Sequence, residues 1–478
     1  MQMCVCVCVC VCVCVVCFQG SSTKDYFLHG ALQSLERYFY LIVFNAYLHE
    51  QYPLAFACNF SQWLCSNAWI YRLLSCMNQS ELRAPADLVT KGARVLVADE
   101  YLAPDVLSTI KEMKVANFRR VPKMSIYGMA QPTSEAASVV LAYLCDEKRK
   151  HSSVLWVNLQ DELLLEANNQ IFSPREPTRV EQCIRVCSAQ PEDIQSLEAS
   201  LKAQLLASQQ WLEVTLEQEK QMKMIKSCST VQEIFNQLKS SHHALQYRRI
   251  PFPECSAPSE EGFDQLLDVM KATLAEDSLS AFVFNCSNGK ARTTTAMVIA
   301  TLTLWHFNGF PEFCEDEIVS VPDAKYTKGE FEVVMKLVRL LPDGQRMKRE
   351  VDAALDSVSE TMTPLHYHLR EIIICTYRQI RSCKSDAELL ALQALLYLER
   401  YIYLILYNSY LHLEKRDSWR RPFSVWMQQV AAPAGVYELL NQLGFSEFED
   451  LRDSTLCRLR RRWLQQNRHG LPFRGELI

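Results

Sequence analysis

AFVFNCSNGKARTTTAMVIATLTLWHF, residues 281–307, reads as a strand, a loop and a helix in immediate succession. Ala281 to Phe284 is a short apolar run that suits a buried strand, bounded by Asn285. A polar loop from Cys286 to Arg292 follows, and Thr293 opens an apolar helix. Such a junction binds anions, because the first backbone N–H groups of a helix lack intrahelical partners and the helix dipole adds partial positive charge. A cysteine at the start of the loop sits where that field favours a thiolate. Arg292, six residues on, can offer a planar fork of donors to phosphate oxygens. Gly289 falls where the backbone must turn tightly, so the spacing is Cys-x5-Arg-Thr with a glycine inside it.

The rest of the chain limits what this loop can serve. With 478 residues there is material for two or three domains. A net charge of −5 argues against a general nucleic-acid binder. No apolar run reaches the eighteen or so residues of a transmembrane helix, so membrane contact is expected to be peripheral at most. Of the 20 cysteines, Cys4, Cys6, Cys8, Cys10, Cys12, Cys14 and Cys17 crowd the first seventeen residues. The others are scattered without Cys-x-x-Cys pairs, a pattern of reduced thiols that points to the cytosol. No metal and no cofactor are expected.

Residues 1–20 are dominated by alternating Cys and Val, which we read as a translated dinucleotide repeat without function. The segment from Leu35 to His49 matches Leu398 to His412 at a constant offset of 363, and Phe60 to Trp63 falls on Phe423 to Trp426 at the same offset. This is an internal repeat of long period. Residues 21–85 are therefore expected to be the helical tail of a first unit whose own loop would fall before Met1. Residues 86–345 are expected to form an α/β domain with the Cys-x5-Arg loop, and residues 346–478 a helical extension. Within this scheme Ala93 to Ala98 reads as an extended connector, and Ser134 as the cap of a helix from Glu135 to Asp146. Val154 to Leu159 reads as a buried strand, and Ile194 to Lys226 as one long solvated helix. Tyr247 to Pro253 reads as a strand, and Phe263 to Leu274, Lys348 to Ser359, Leu365 to Arg381 and Ala387 to Leu413 as helices. Arg458 to Arg462 is expected on a solvated basic face. Strands alternating with helices predict an α/β sheet flanked by helices, with the loop at the C-terminal end of a strand.

The motifs Asn117-Phe-Arg, Gly128-Met-Ala-Gln, Tyr247-Arg-Arg-Ile-Pro and Cys286-x5-Arg-Thr, in that order, resemble the tyrosine-phosphatase-like inositol polyphosphate phosphatases, the cysteine phytase group. The resemblance implies the cysteine-phosphatase α/β fold and catalysis through a phosphocysteine. Cys286 would then be the nucleophile, Arg292 the clamp on the transferring phosphoryl group, and Thr293 the hydroxyl that bonds the thiolate. Ser287, Asn288, Gly289, Lys290 and Ala291 would line the phosphate. Lys290 adds positive charge suited to a multiply phosphorylated inositol ring, free or in a phosphoinositide. The general acid would fall on Glu254, where the group has Asp. Asn285 stands where the group usually has His, and Ala291 where a second glycine is common, its Cβ crowding the loop if that residue needs positive φ. Three functions remain open: a phosphatase of inositol phosphates or phosphoinositides, a pseudophosphatase that scaffolds signalling partners, and a protein-tyrosine phosphatase. Cys255 is a candidate redox partner of Cys286.

Overall fold

A computed structural model describes residues 21–57, 60, 63, 95–98, 113–146, 149, 151–176, 179–183, 191–208, 211–216, 219–242, 244–253, 257–311, 331–359 and 387–441. The chain forms two compact units, residues 1–88 with 435–445 and 449–478, and residues 89–434 with 446–448. In the first, helix α1 (Ser21–Gln51) runs into a short 3-10 turn at Tyr52–Leu54.

The second unit starts with β1 (Val95–Ala98), β2 (Arg119–Arg120), β3 (Ile126–Ala130) and α2 (Ser134–Leu144). It continues through β4 (Val154–Asn158), β5 (Leu165–Ala167), β6 (Gln170–Glu176), β7 (Arg179–Cys183) and α3 (Pro191–Ser208). Then come β8 (Trp211–Leu216), β9 (Glu219–Met224), β10 (Cys228–Thr230), α4 (Val231–Ser241), β11 (Leu245–Arg249) and α5 (Glu260–Glu276). The decisive strand is β12 (Ala281–Cys286), followed by α6 (Ala291–Asn308), α7 (Glu332–Leu340), α8 (Gly344–Ser359) and α9 (Ala387–Leu413).

The sheet that carries the site has the order β11-β4-β12-β3-β2. Its first four strands are parallel and β2 closes one edge antiparallel to β3. β12 lies in the middle, with Cys286 opposite Ala130 and Asn285 opposite Asn158. Alternate residues of a strand face opposite sides. Tyr127, Met129, Trp156, Ala281 and Val283 share a core with Ala137 and Val140 of α2 and Ile234 and Phe235 of α4. The other side receives α6, which packs in turn on α8 and α9. Fifteen successive residues of α6, Arg292 to His306, are buried, as expected for a helix with no polar face. A mixed α/β sheet flanked by helices is thus the fold.

A second sheet has the order β10-β5-β6-β1-β8-β9, with β7 on β6, and corrects two expectations. The segment read as a connector is β1, antiparallel to β6 and parallel to β8. The long helix ends at Ser208, and β8 and β9 pair from Trp211↔Met224 to Leu216↔Glu219. Trp211, Val214 and Thr215 are strand formers, and the Leu96↔Val214 pairing overrides the helical propensity of the Gln- and Glu-rich neighbourhood. A third correction concerns α2. Thr133, not Ser134, caps it by accepting from Ala136 N at 3.2 Å. Ser134 binds the Glu166 carboxylate through its N–H at 2.7 Å and its hydroxyl at 2.6 Å. The strand read at Tyr247 to Pro253 runs from Leu245 to Arg249. Residues 1–20, 365–381 and 458–462 lie outside the described residues.

The sequence repeat recurs as packing. Tyr47 meets Phe60 with ring centroids 5.2 Å apart at 66°, and Tyr410 meets Phe423 at 5.4 Å and 66°. Phe60 stacks on Trp63 at 6.2 Å, and Phe423 on Trp426 at 6.0 Å. Ala55 and Phe56 take positive φ of 51° and 54°, matched by 54° and 51° at Ser418 and Trp419. Each pair is separated by the offset of 363.

On α6, buried His306 lies 3.1 Å from Asn408 Oδ1, with its ring 4.4 Å from His412, which in turn pairs with Glu350 at 2.6 Å. Burial, opposed by the Asn408 contact, pushes the imidazole down to about 4 from its usual 6.5. The unfolded chain therefore binds a proton over that range that the folded chain does not. Stability from this group is lost as pH falls from about 6.5 to 4, by up to about 3 kcal/mol. In denaturation titrations at stepped pH, His306→Gln is expected to flatten the curve between about pH 6.5 and 4. An unchanged slope would assign it to other groups.

Candidate active site

The loop from Cys286 to Arg292 stands at the C-terminal end of the central strand, where parallel α/β sheets bind ligands. Its shape comes from three successive carbonyls tied back to the scaffold. Ser287 O accepts from Gln131 N at 3.2 Å, Asn288 O from Asn117 Nδ2 at 2.8 Å, and Gly289 O from Arg119 Nη1 at 2.7 Å. In a trans peptide the N–H points opposite the C=O. The N–H groups of Asn288, Gly289 and Lys290 therefore turn away from the scaffold together, forming a nest of donors. Lys290 N already donates at 2.9 Å to the Asn288 side-chain carbonyl on that side. Gly289 has φ 68°, and a Cβ there would come within 2.4 Å of Ala130 N. No other residue type fits without moving β3.

Cys286 is the last residue of β12 and is buried. Thr293 Oγ1, in the first turn of α6, lies 3.1 Å from its sulfur, and the thiol faces Asn288 Oδ1 at 3.7 Å. Arg292, also buried, sends Nη1 to Asp161 Oδ1 at 2.8 Å and to Glu162 Oε2 at 3.0 Å. Its Nη2 reaches Glu162 Oε1 at 2.7 Å and Ser287 Oγ at 2.9 Å. Burial opposes the Arg292 charge, yet Glu162 first, then Cys286 and Asp161, outweigh it and hold the guanidinium firmly protonated. The two carboxylates are positioned from below by Arg249, whose Nε and Nη2 bind Gln160 O and Glu162 O at 3.0 and 2.6 Å. Arg249 Nη1 in turn pairs with fully buried Glu198 of α3 at 2.8 Å.

Cys286, Ser287, Asn288, Gly289, Lys290, Ala291, Arg292 and Thr293 are thus gathered in one loop and helix turn. Glu254 and Cys255 lie outside the described residues. Asn285 is fully buried and satisfied, accepting from Trp156 Nε1 at 2.8 Å and donating to Gln131 Oε1 at 2.7 Å. It thereby steadies Gln131, which holds Ser287. Ala291 is the first residue of α6 and is not among the residues with positive φ, so its Cβ carries no backbone strain. Sequence reasoning missed Asp161 and Glu162. The available signal was a carboxylate pair just past a buried strand in a fold whose strand ends form the site.

Residues 157–304 match the family model PTPlike_phytase, described as inositol hexakisphosphate. Paladin of Xenopus tropicalis is 67% identical over 462 residues, 96% of this chain and 53% of that protein. Paladin of Homo sapiens is 53% identical over 451 residues, 94% of this chain and 51% of that protein. The chain spans about half the length of the curated relatives it matches. Among solved structures, the tandemly repeated protein tyrosine phosphatase like phytase from Mitsuokella multacida aligns with a TM-score of 0.46 and 14% identity. That alignment covers 72% of this chain and 49% of the other. Among the described residues, no helix is long and apolar enough to cross a membrane.

Proposed function

We propose, for a chain that carries a PTP-like phytase domain and is similar to Paladin along almost its whole length, that the Cys286 loop binds and hydrolyses phosphate monoesters of polyphosphorylated inositols, free or lipid-linked. The observation that carries this reading is the trio of tied-back carbonyls at Ser287, Asn288 and Gly289, which turns three N–H groups to one side above a Thr293-bonded cysteine. A phosphate oxygen would replace Asn288 Oδ1 at Lys290 N–H. The Cys286 thiolate attacks phosphorus, an S–P bond forms and the P–O bond to the inositol breaks. Glu254 is the proposed donor of the proton that the leaving oxygen takes up. Water then attacks the phosphocysteine, releasing phosphate and restoring the thiolate. The loop N–H groups hold the equatorial oxygens, joined by Arg292 as phosphate displaces Asp161 and Ser287 from its terminal nitrogens. The description of the matching family supports an inositol polyphosphate as ligand, and Lys290 suits its extra charge.

A second reading, a phosphate-binding scaffold in cytosolic signalling, is favoured by one observation: both terminal nitrogens of Arg292 are engaged by Asp161, Glu162 and Ser287. Residues 21–85 fit the tail of a first phosphatase-like unit, a reading supported by the matched aromatic clusters.

Phosphate release from inositol hexakisphosphate, from phosphoinositide vesicles and from a phosphotyrosine peptide tests the choice. Lys290→Ala is expected to slow the inositol substrates by about 3- to 10-fold, from one lost charge contact of roughly 1 kcal/mol, and to leave the peptide nearly unaffected. Release confined to the peptide would assign a tyrosine phosphatase. No release, with inositol hexakisphosphate still bound, would assign the scaffold.

A further inference from the structure

The buried charges around the loop are not all balanced. Arg292 faces Asp161 and Glu162, and Arg249 faces Glu198. Arg119, on β2 at the sheet edge, is only 1% exposed and has three acceptors, all neutral. Its Nη1 donates to Asn117 O at 3.0 Å and to Gly289 O at 2.7 Å, and its Nη2 to Thr294 Oγ1 at 2.9 Å. Among the described residues its Nε has no hydrogen-bond partner and no carboxylate pairs with it. A buried, unpaired cation is costly, so a fold that keeps one either carries the penalty or supplies an anion elsewhere.

Cys286 is a group in the same loop that can ionise. Arg119 holds Gly289 and Thr294 in the first turn of α6 at once, and the neighbouring Thr293 bonds the Cys286 sulfur at 3.1 Å. Burial pulls the Arg119 guanidinium down to about 10, and the charge that acts in the opposite direction is that of Cys286. Arg292, by contrast, already has two carboxylates paired with it.

We infer that Arg119 is a positioning residue whose uncompensated charge, carried through Gly289 and Thr294, keeps Cys286 as a thiolate and draws phosphate into the loop. The inference rests on the phosphate-loop reading. It also assigns a division of labour. Arg292 supplies geometry against the phosphoryl oxygens with its charge mostly balanced, while Arg119 supplies net positive charge without touching the ligand. The loss of that charge should therefore change the protonation of Cys286 even where the loop keeps its shape.

The test compares Arg119→Gln, which keeps a polar donor but no charge, with Arg119→Lys, which keeps the charge but loses the fork. In the full chain, iodoacetamide labelling of Cys286 is followed against pH by peptide mass spectrometry, with and without inorganic phosphate. Exposed Cys145 serves as the reference thiol. Arg119→Gln is expected to move the labelling midpoint up by about one pH unit, a roughly tenfold loss of rate near pH 6.5, and to weaken protection by phosphate. Arg119→Lys should stay within about threefold of the parent protein. Equal shifts in both variants would mean that the fork only braces the loop, and no shift in either would remove Arg119 from the account. Failure of the parent protein to show phosphate protection would overturn the phosphate-loop reading itself, a result distinct from either of these.

Discussion

Cys286→Ser is expected to abolish the proposed phosphate release from inositol polyphosphates while leaving the folded protein able to bind them. A serine hydroxyl can take the place of the thiol beside Thr293 Oγ1 and Asn288 Oδ1, so the loop and its three tied-back carbonyls persist. In the proposed function, binding depends on those N–H groups, on Arg119 and on Arg292, none of which the substitution replaces. The chemistry depends on a nucleophile that ionises near neutral pH, which a serine without an adjacent base does not. The expected loss is at least about a thousandfold in turnover, with ligand affinity changed by no more than a few-fold. Phosphate release by the serine variant at the parent rate would place the nucleophile elsewhere.

The largest effect on stability is expected from Arg249→Met. Arg249 joins three pieces that are far apart in sequence: Glu198 on α3, the carbonyls of Gln160 and Glu162 past β4, and its own place at the end of β11. Both members of the ion pair are buried, with side chains 1% and 0% exposed. Removing the arginine leaves Glu198 as a buried carboxylate bonded, among the described residues, only to Leu164 N and frees the segment that carries Asp161 and Glu162. Breaking such a pair costs roughly 3–5 kcal/mol, a large share of an ordinary domain's stability. Urea denaturation should show that loss, and the double variant Arg249→Met with Glu198→Met should recover part of it, because the orphaned charge is gone. Recovery stays incomplete, since Gln160 O and Glu162 O still lack their donor. The single variant should also lose phosphate release, as Glu162 no longer holds Arg292 in place. A change below about 1 kcal/mol would show the pair to be dispensable.

The loop, its strand and its helix were legible from residues 281–307 alone, because the reading used only neighbours: an apolar run, a glycine, and a helix start. The repeat was legible because residue identities match at a constant offset, and its residues recur as the paired clusters Tyr47–Phe60 and Tyr410–Phe423. What stayed hidden depends on pairings over long separations. Gln- and Glu-rich sequence after Ser208 has the local preferences of a helix, and β8 is a strand through its hairpin with β9 and its pairing with β1, more than a hundred residues earlier. The carboxylates on Arg292 come from positions 161 and 162, and the fixed charge of Arg119 meets the loop across 170 residues. The effect of Asn285 could not be read from its identity either. It looked like a lost histidine and is instead a satisfied link between Trp156 and Gln131.

The central claim is that Cys286 takes phosphate from an inositol polyphosphate held in the loop. Its most direct test is an acid quench of the full chain during turnover of inositol hexakisphosphate, followed by mass analysis of the peptide that contains residue 286. A phosphoryl group on Cys286, absent in the Cys286→Ser variant, is the expected result. Phosphate release with the cysteine unmodified at every quench time, and unchanged in that variant, would contradict it.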